Sequence, residues 1–146
     1  ICAEAKAGGK TVVFTNGCFD LPHRGHIHIL REAKACGDIL IVGINTNKSV
    51  KKYKSEKRPI NDEKSRIGVL AALESVDYAF LFNEKDPRRW LLKIKPDFHA
   101  KAGDYRLSQI IERDVVEKNN GKVAIVKIET GYSTTGIIKK ILKIYK

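Results

Sequence analysis

The chain has 146 residues, of which 42% are hydrophobic and 31% are charged. This length and balance suit one folded domain with a single core, and no apolar stretch approaches the length that a membrane span needs. Residues 1–10 lack the apolar core of a signal peptide, so we expect a cytoplasmic protein without a membrane partner. Cys2, Cys18 and Cys36 are an odd number without the spacing of a disulfide framework, which favours free thiols.

The formal charge of +11 arises from 28 lysine and arginine residues against 17 acidic ones. Such an excess can favour nucleic-acid binding. The basic residues, however, recur along the whole chain and are not interleaved with aromatic residues as a base-stacking platform requires, so we expect no nucleic-acid partner. Part of the charge would suit small, strongly anionic substrates, and the rest indicates a solvated lysine surface.

Apolar, strand-like runs alternate with helical patterns along the chain. We predict strands at 11–15, 39–44, 78–82, 97–100 and 122–128, and helices at 24–36, 63–75, 86–94, 107–119 and 133–145. Strict alternation implies parallel strands, right-handed crossovers and helices on both faces. The prediction is a single-domain α/β protein with a doubly wound, five-stranded parallel sheet over 11–146, after an N-terminal lead-in of 1–10. The lysine-rich segment 46–61 predicts a mobile, substrate-covering loop.

Residues 15–26 read TNGCFDLPHRGH and carry two histidines, His23 and His26, from the first strand into the first predicted helix. Exposed N–H groups and the helix dipole favour an anion at such a junction. Residues three apart share a helix face, so both imidazoles can hold a phosphate chain, while Gly25 leaves room for substrate. The alternatives are a histidine pair that only caps or packs the helix, or a zinc site with Cys18 or Cys36, although the spacing matches no common zinc pattern.

A second helix start lies in the block GYSTTGIIKKI at 131–141. Its hydroxyl side chains, Ser133, Thr134 and Thr135, precede an amphipathic segment, so hydroxyls and backbone N–H groups converge there. Serine and threonine are the expected N-cap residues, and a plain helix cap is the alternative interpretation.

These two blocks, with RPINDEKSRIGVLAALESVDY at 58–78 and KAGDY at 101–105, form an ordered set from Lys10 to Ile141. The set resembles the cytidylyltransferase-like nucleotidyltransferases, which are Rossmann-like enzymes with an HxGH signature. It is most similar to the adenylyltransferase domains of the ADP-heptose synthase family. Two residues depart from that pattern: Pro22 replaces an aliphatic residue, and Ala102 replaces the first glycine of KGGDY. The second change would matter if the backbone there needed a positive φ.

The resemblance implies an adenylyltransferase that transfers AMP from ATP to a heptose 1-phosphate, giving ADP-heptose and pyrophosphate. It implies Mg²⁺ carried by the ATP phosphates, with no metal ligand from the protein, and suggests a homodimer. The implied catalytic residues are His23, His26, Lys54 and Arg66. The implied nucleotide-binding residues are Asn16, Gly17, Cys18, Phe19, Gly25, Lys101, Gly103, Asp104, Ser133, Thr134 and Thr135. The implied acceptor-binding residues are Asp20, Arg58 and Tyr105.

Other functions fit parts of this pattern. A cytidylyltransferase acting on glycerol-3-phosphate or a related alcohol phosphate is one, although such relatives usually carry RTEG before STT, where this chain has IETGY at 128–132. A flavin or pantetheine-phosphate adenylyltransferase is a second. A non-catalytic basic nucleotide- or RNA-binding module is a third. For Arg66, a surface ion pair with Asp62 or Glu63 is the alternative to a catalytic role. For Asp20, orientation of the turn through its side chain is the alternative to binding acceptor hydroxyls.

Overall fold

Five parallel strands form one sheet in the computed structural model, which describes all residues from 1 to 146. The strands are β1 (Val12–Gly17), β2 (Ile39–Asn45), β3 (Tyr78–Phe82), β4 (Phe98–Ala102) and β5 (Lys122–Val126), in the spatial order β3-β2-β1-β4-β5. The predicted Rossmann-like, five-stranded parallel sheet is confirmed.

Seven α-helices accompany the sheet. They are α1 (Cys2–Ala7), α2 (Arg24–Ala35), α3 (Asn47–Tyr53), α4 (Glu63–Ala71), α5 (Arg88–Ile94), α6 (Arg113–Lys118) and α7 (Thr134–Tyr145). None of them combines the length and the apolar character that crossing a membrane requires. Helix α1 lies within the lead-in of 1–10, where Ala5 is buried against the sheet.

The prediction of a continuous loop over 46–61 is wrong for its first half, which forms α3. The Thr46 side chain caps this helix by accepting a hydrogen bond from the Ser49 N–H at 3.2 Å. Ser49 and Val50 are buried, so one cap and one apolar anchor order a segment that is otherwise rich in exposed lysine. The remaining residues, 54–62, connect α3 to α4.

The predicted helix over 107–119 is interrupted. A short 3₁₀ turn covers Leu107–Gln109, and α6 begins only at Arg113. Between them, Ile110 adopts an extended conformation, with φ −89° and ψ 108°, and is buried. Burial of this one side chain therefore ends the turn and separates it from α6.

Side chains of β1 alternate between two buried clusters, one on each face of the sheet. Val13 packs with Leu30 of α2 and Leu70 of α4. Val12 and Phe14 face the opposite cluster, which contains Leu91 of α5 and Val116 of α6. Burial on both faces explains why the strands read as continuous apolar runs in the sequence.

The strand order reverses beside β1. From β1 the chain continues to β2 and β3 on one side, then returns to β4 and β5 on the other. The loops that leave the carboxyl ends of β1 and β4 therefore diverge and open a crevice between them. In doubly wound sheets this is where ligands bind.

Candidate active site

A cavity of about 590 Å³ lies at the carboxyl ends of β1 and β4. It brings together most of the residues singled out from the sequence: Asn16, Gly17, Cys18, Phe19, Asp20, His26, Lys54, Arg58, Lys101, Tyr105, Thr134 and Thr135. Five further lining residues were missed, namely Thr15, Ile29, Ser55, Ala100 and Ala102. Thr15, Ala100 and Ala102 could have been found, because they belong to the two strands that flank the reversal, beside residues already assigned to the site.

The turn between β1 and α2 has an unusual backbone. Phe19 and Leu21 adopt positive φ angles of 51° and 48°. Pro22, the first departure from the family pattern, follows this turn and precedes the N-cap residue His23. The left-handed positions therefore fall outside Pro22, whose fixed negative φ is compatible with its place.

His23 and His26 hold each other at the start of α2. The Gly25 N–H donates to His23 Nδ1 at 3.1 Å, and the His23 N–H donates to His26 Nδ1 at 3.3 Å. The two rings stack with their centroids 3.9 Å apart. Both Nδ1 atoms are therefore acceptors, which leaves the hydrogen of each neutral ring on Nε2.

The environment favours these neutral forms. Burial, with the positive charges of His23 and Lys54 acting in the same direction, lowers the pKa of His26 to about 4. Burial also lowers the pKa of His23. The pair does cap the helix, as one alternative held, but capping uses only Nδ1 and leaves one Nε2–H donor per ring.

The two histidines line different cavities. His26 lines the main cavity, whereas His23 lines a smaller cavity of about 230 Å³ with Tyr132, Ser133 and Lys140. Gly25 allows their packing, since a Cβ there would lie 2.9 Å from the His23 ring. No group of three or more histidine, cysteine or acidic side chains is arranged to hold a metal ion, so the zinc alternative gains no support.

The start of α7 meets the same region. Ser133 caps the helix by accepting from the Gly136 N–H at 2.9 Å. Thr134 donates from its hydroxyl to the Asp20 carbonyl at 2.8 Å and lines the cavity with Thr135. Thr134 thus joins the N-terminus of α7 to the β1–α2 turn. The alternative interpretation, in which these residues only cap the helix, fits Ser133 but not Thr134.

Asp20, which the resemblance assigns to the acceptor, lines the cavity, but other groups of the protein bind its carboxylate. It is 4% exposed and receives hydrogen bonds from Arg58 Nη1 at 3.1 Å, the Ile60 N–H at 2.8 Å and the Asn61 N–H at 2.9 Å. Burial by itself would raise the pKa of Asp20, but these donors outweigh it and hold the pKa below its usual value. The carboxylate instead fastens residues 58–61 to the β1–α2 turn.

Arg66 is fully buried and does not line the cavity, in contrast to its predicted catalytic role. Its guanidinium donates to Asn61 O (3.0 Å), Cys18 O (2.8 Å), Asn45 O (2.7 Å) and Asn47 Oδ1 (2.9 Å). The surface-pair alternative is also wrong, because Asp62 caps α4 and Glu63 accepts from the Asn47 N–H. Arg66 joins three chain segments behind the cavity wall.

Three cationic side chains line the cavity. Lys54 follows α3, Arg58 is held by Asp20, and Lys101 lies near the end of β4 with its ammonium 3.0 Å from Glu112 Oε1. The Cys18 thiol is also at the wall, but burial raises its pKa, which disfavours the nucleophilic thiolate. The cavity therefore offers positive charge and N–H donors rather than a covalent nucleophile.

The KAGDY block contributes unevenly. Gly103 has φ +136°, whereas Ala102 has no positive φ, so the need for glycine falls on Gly103 and the second departure from the pattern is tolerated. A Cβ on Gly103 would lie 2.6 Å from the Tyr105 ring. Tyr105 lines the cavity, while Asp104 and Gly103 do not.

Comparison with known proteins agrees with this geometry. The model of the family described as cytidylyltransferase-like matches residues 14–140. The chain belongs to the cytidylyltransferase-like family. Its class as a nucleotidyltransferase, expected from the sequence motifs, is thereby confirmed.

Among curated members, the bifunctional protein HldE of Geobacter metallireducens is 48% identical over 145 residues. The match covers 99% of this chain and 30% of that protein, so the chain spans about 30% of the length of this relative. The resemblance to ADP-heptose synthase drawn from the motifs is confirmed by such relatives.

Solved structures give the same fold. The lipopolysaccharide core biosynthesis protein from Thermoplasma volcanium GSS1 matches with a TM-score of 0.69 and 33% identity, over 86% of this chain and 100% of that one. A pantoate-beta-alanine ligase from Francisella tularensis matches with a TM-score of 0.60 at 18% identity, over 92% of this chain and 66% of that one, and shares the fold.

Proposed function

We propose that this cytidylyltransferase-like domain transfers AMP from ATP to a heptose 1-phosphate, producing ADP-heptose and pyrophosphate. The observation that carries the proposal is the convergence on one cavity of His26, Lys54, Lys101 and the N-terminus of α7, four groups from distant parts of the chain. All of them suit phosphate oxygens, and they meet at the strand reversal where nucleotides bind.

In this reaction an oxygen of the acceptor phosphate attacks the α-phosphorus of ATP. The bond from that phosphorus to the oxygen bridging to the β-phosphate breaks, and pyrophosphate leaves with the electron pair. No protein nucleophile is needed, so catalysis consists of alignment and stabilisation of the negative charge that develops on the phosphate oxygens. The proposed donors in the main cavity are His26 Nε2–H, the N–H groups at the start of α7, and Lys54 and Lys101. His23, which stacks on His26 and lines the smaller cavity, would donate its Nε2–H from that side.

The neutral histidines suit this task. Their Nδ1 atoms are fixed by backbone N–H donors, so each Nε2–H is oriented before substrate arrives. Each ring can then donate from Nε2 to a phosphate oxygen while it stays neutral, because a second proton could go only on Nδ1, which already accepts a backbone N–H hydrogen bond. Positive charge beside the leaving pyrophosphate would come from Lys54 and Lys101.

Mg²⁺ fits this donor set as an ion held by the triphosphate. Asp20 is the carboxylate in the cavity wall, and its oxygens are already used by Arg58 and two backbone N–H groups. Phosphate oxygens and water are ordinary Mg²⁺ ligands, so the nucleotide can bring the ion with it. When bound, Mg²⁺ would neutralise charge on the β- and γ-phosphates.

The heptose acceptor is supported by the names of the relatives. The HldE relatives are ADP-heptose synthases, and the matching Thermoplasma volcanium protein is described as a lipopolysaccharide core biosynthesis protein. Use of ATP further favours a cytoplasmic location. The homodimer that the resemblance suggests is tested by sedimentation equilibrium of the purified chain.

A pyrophosphate-release assay with four nucleoside triphosphates and a panel of sugar and alcohol phosphates tests the proposal. We expect turnover with ATP and a heptose 1-phosphate, and loss of turnover in His26→Ala. His28→Ala is the matched control, because His28 bonds the Lys127 carbonyl at 3.1 Å and lies outside the cavity. A strong preference for CTP with glycerol-3-phosphate would overturn the acceptor and donor assignments, and ATP binding without turnover on any acceptor would favour a binding module.

A further inference from the structure

A buried acidic side chain stands behind Lys101. Glu112, the residue before α6, is 3% exposed. Its Oε1 accepts a hydrogen bond from Lys101 Nζ at 3.0 Å. The Lys101 side chain is 27% exposed and lines the cavity, so the pair runs from the protein interior to the proposed nucleotide site.

His99 lies two residues before Lys101 on β4, and therefore on the same face of the sheet. It is fully buried, stacks on Phe14 and approaches the Phe14 carbonyl with Nδ1 at 3.3 Å. Burial lowers its pKa to about 4, and the Glu112 carboxylate opposes that shift. His99 Nε2 and Glu112 Oε2 are both buried without a partner.

Stability does not account for Glu112 at this position. A buried carboxylate is costly unless both oxygens are well paired, and here one oxygen has no donor. The contact instead restricts Lys101, whose long side chain would otherwise populate many rotamers. The ammonium is also held 5.7 Å from the centre of the Tyr105 ring. Both contacts fix the charge at the wall of the cavity before any ligand binds.

We propose that Glu112 is a positioning residue for nucleotide binding: through its buried ion pair it holds the Lys101 ammonium where the phosphates of the nucleotide bind. The inference rests on the proposed function and extends it to a residue outside the cavity wall. Glu112 touches no substrate, so its whole effect on binding passes through Lys101.

The test measures MgATP affinity by calorimetry, without acceptor, for the complete chain and three variants: Glu112→Gln, Lys101→Met and the double variant. Ordering a free lysine side chain when a ligand binds costs conformational entropy equivalent to about a tenfold change in affinity. Glu112 removes this cost because it orders Lys101 beforehand, so we expect Glu112→Gln to weaken MgATP binding about tenfold. In the Lys101→Met background, the same change should have no further effect on affinity.

Glu117→Gln is the matched control, because Glu117 lies in α6, the helix that Glu112 precedes, and forms an exposed pair with Arg113 at 2.7 Å. It should leave MgATP affinity unchanged. Melting curves for every variant report folding. Should Glu112→Gln lower affinity equally with and without Lys101, its role is general support of the fold and the inference is overturned.

Unchanged affinity in Glu112→Gln would also overturn the inference, while leaving the proposed function intact. If the unmodified chain neither binds MgATP nor releases pyrophosphate with any acceptor, both proposals fail. The two failures are therefore distinguishable in one set of measurements.

Discussion

Replacement of Arg66 by methionine separates a structural role from a catalytic one. The substitution keeps a long side chain but removes the guanidinium and its four hydrogen bonds to oxygen. Three of those acceptors are carbonyls of Asn61, Cys18 and Asn45, which belong to segments that are distant in sequence. Arg66→Met therefore leaves buried acceptors without donors and releases these segments from one another.

The expected loss is large. Leaving the partners of a buried charged group unpaired costs about 3–5 kcal/mol. A domain of this size has a total stability of about 5–15 kcal/mol, so the variant should stay folded at 25 °C with a reduced margin. The corresponding decrease in Tm is about 10 °C.

Thermal and urea denaturation measure this effect, with Arg113→Met as the control. Arg113 forms an exposed ion pair with Glu117, and its loss should cost no more than about 1 kcal/mol. Turnover of Arg66→Met should decline together with the folded fraction. A variant with an unchanged Tm and abolished turnover would refute the reasoning and indicate that Arg66 acts directly on the substrate.

Three other predictions concern groups in or beside the cavity wall. Asp20→Asn should lower stability at pH 7, and the difference from the unmodified chain should vanish in acid. The pKa of Asp20 is lower in the folded protein than in the unfolded chain, where it is about 3.9. The carboxylate therefore stabilises the fold above the unfolded pKa, and this stabilisation is lost as pH falls through the folded pKa. In an NMR titration of the free protein, the His26 ring should remain neutral from pH 8 to pH 5 and titrate at a pKa of about 4, and a midpoint near 6.5 would contradict the buried, capping geometry. In denaturation experiments, Gly103→Ala should destabilise the protein by about 1–3 kcal/mol, because φ at this residue is +136° and the added Cβ would lie 2.6 Å from the Tyr105 ring. Ala102→Gly, at a position without positive φ, should change stability by at most about 1 kcal/mol.

The sheet could be predicted from sequence because its strands are buried on both faces. The run at 39–44, for example, contains only apolar residues and glycine, and β2 covers Ile39–Asn45. Helix α3 could not be predicted in this way, since seven residues with one apolar anchor, Val50, carry little periodic signal. The extended, buried conformation of Ile110 is likewise invisible in a local pattern.

The motifs predicted where the site would form, but not which atoms would face it. An arginine in a helix and an aspartate in a turn are ordinarily solvated. Arg66 and Asp20 became buried scaffold groups because their partners, Asn45 and residues 58–61, come from distant parts of the chain. Such long-range pairings are set by topology, so a local sequence pattern records the residue types without the contacts.

This scaffold determines which charged groups at the cavity are paired and which are free. Asp20 neutralises Arg58, and Glu112 neutralises Lys101 in part, so the free cavity is less positive than the net charge of +11 suggests. Burial favours the neutral form of both histidines, and Lys54 is the cavity cation that forms no ion pair. Because Nδ1 of each ring already accepts a backbone N–H hydrogen bond, a bound triphosphate would meet neutral Nε2–H donors and the Lys54 ammonium. The electrostatic stabilisation would thus come from donors that the scaffold orients before substrate binds.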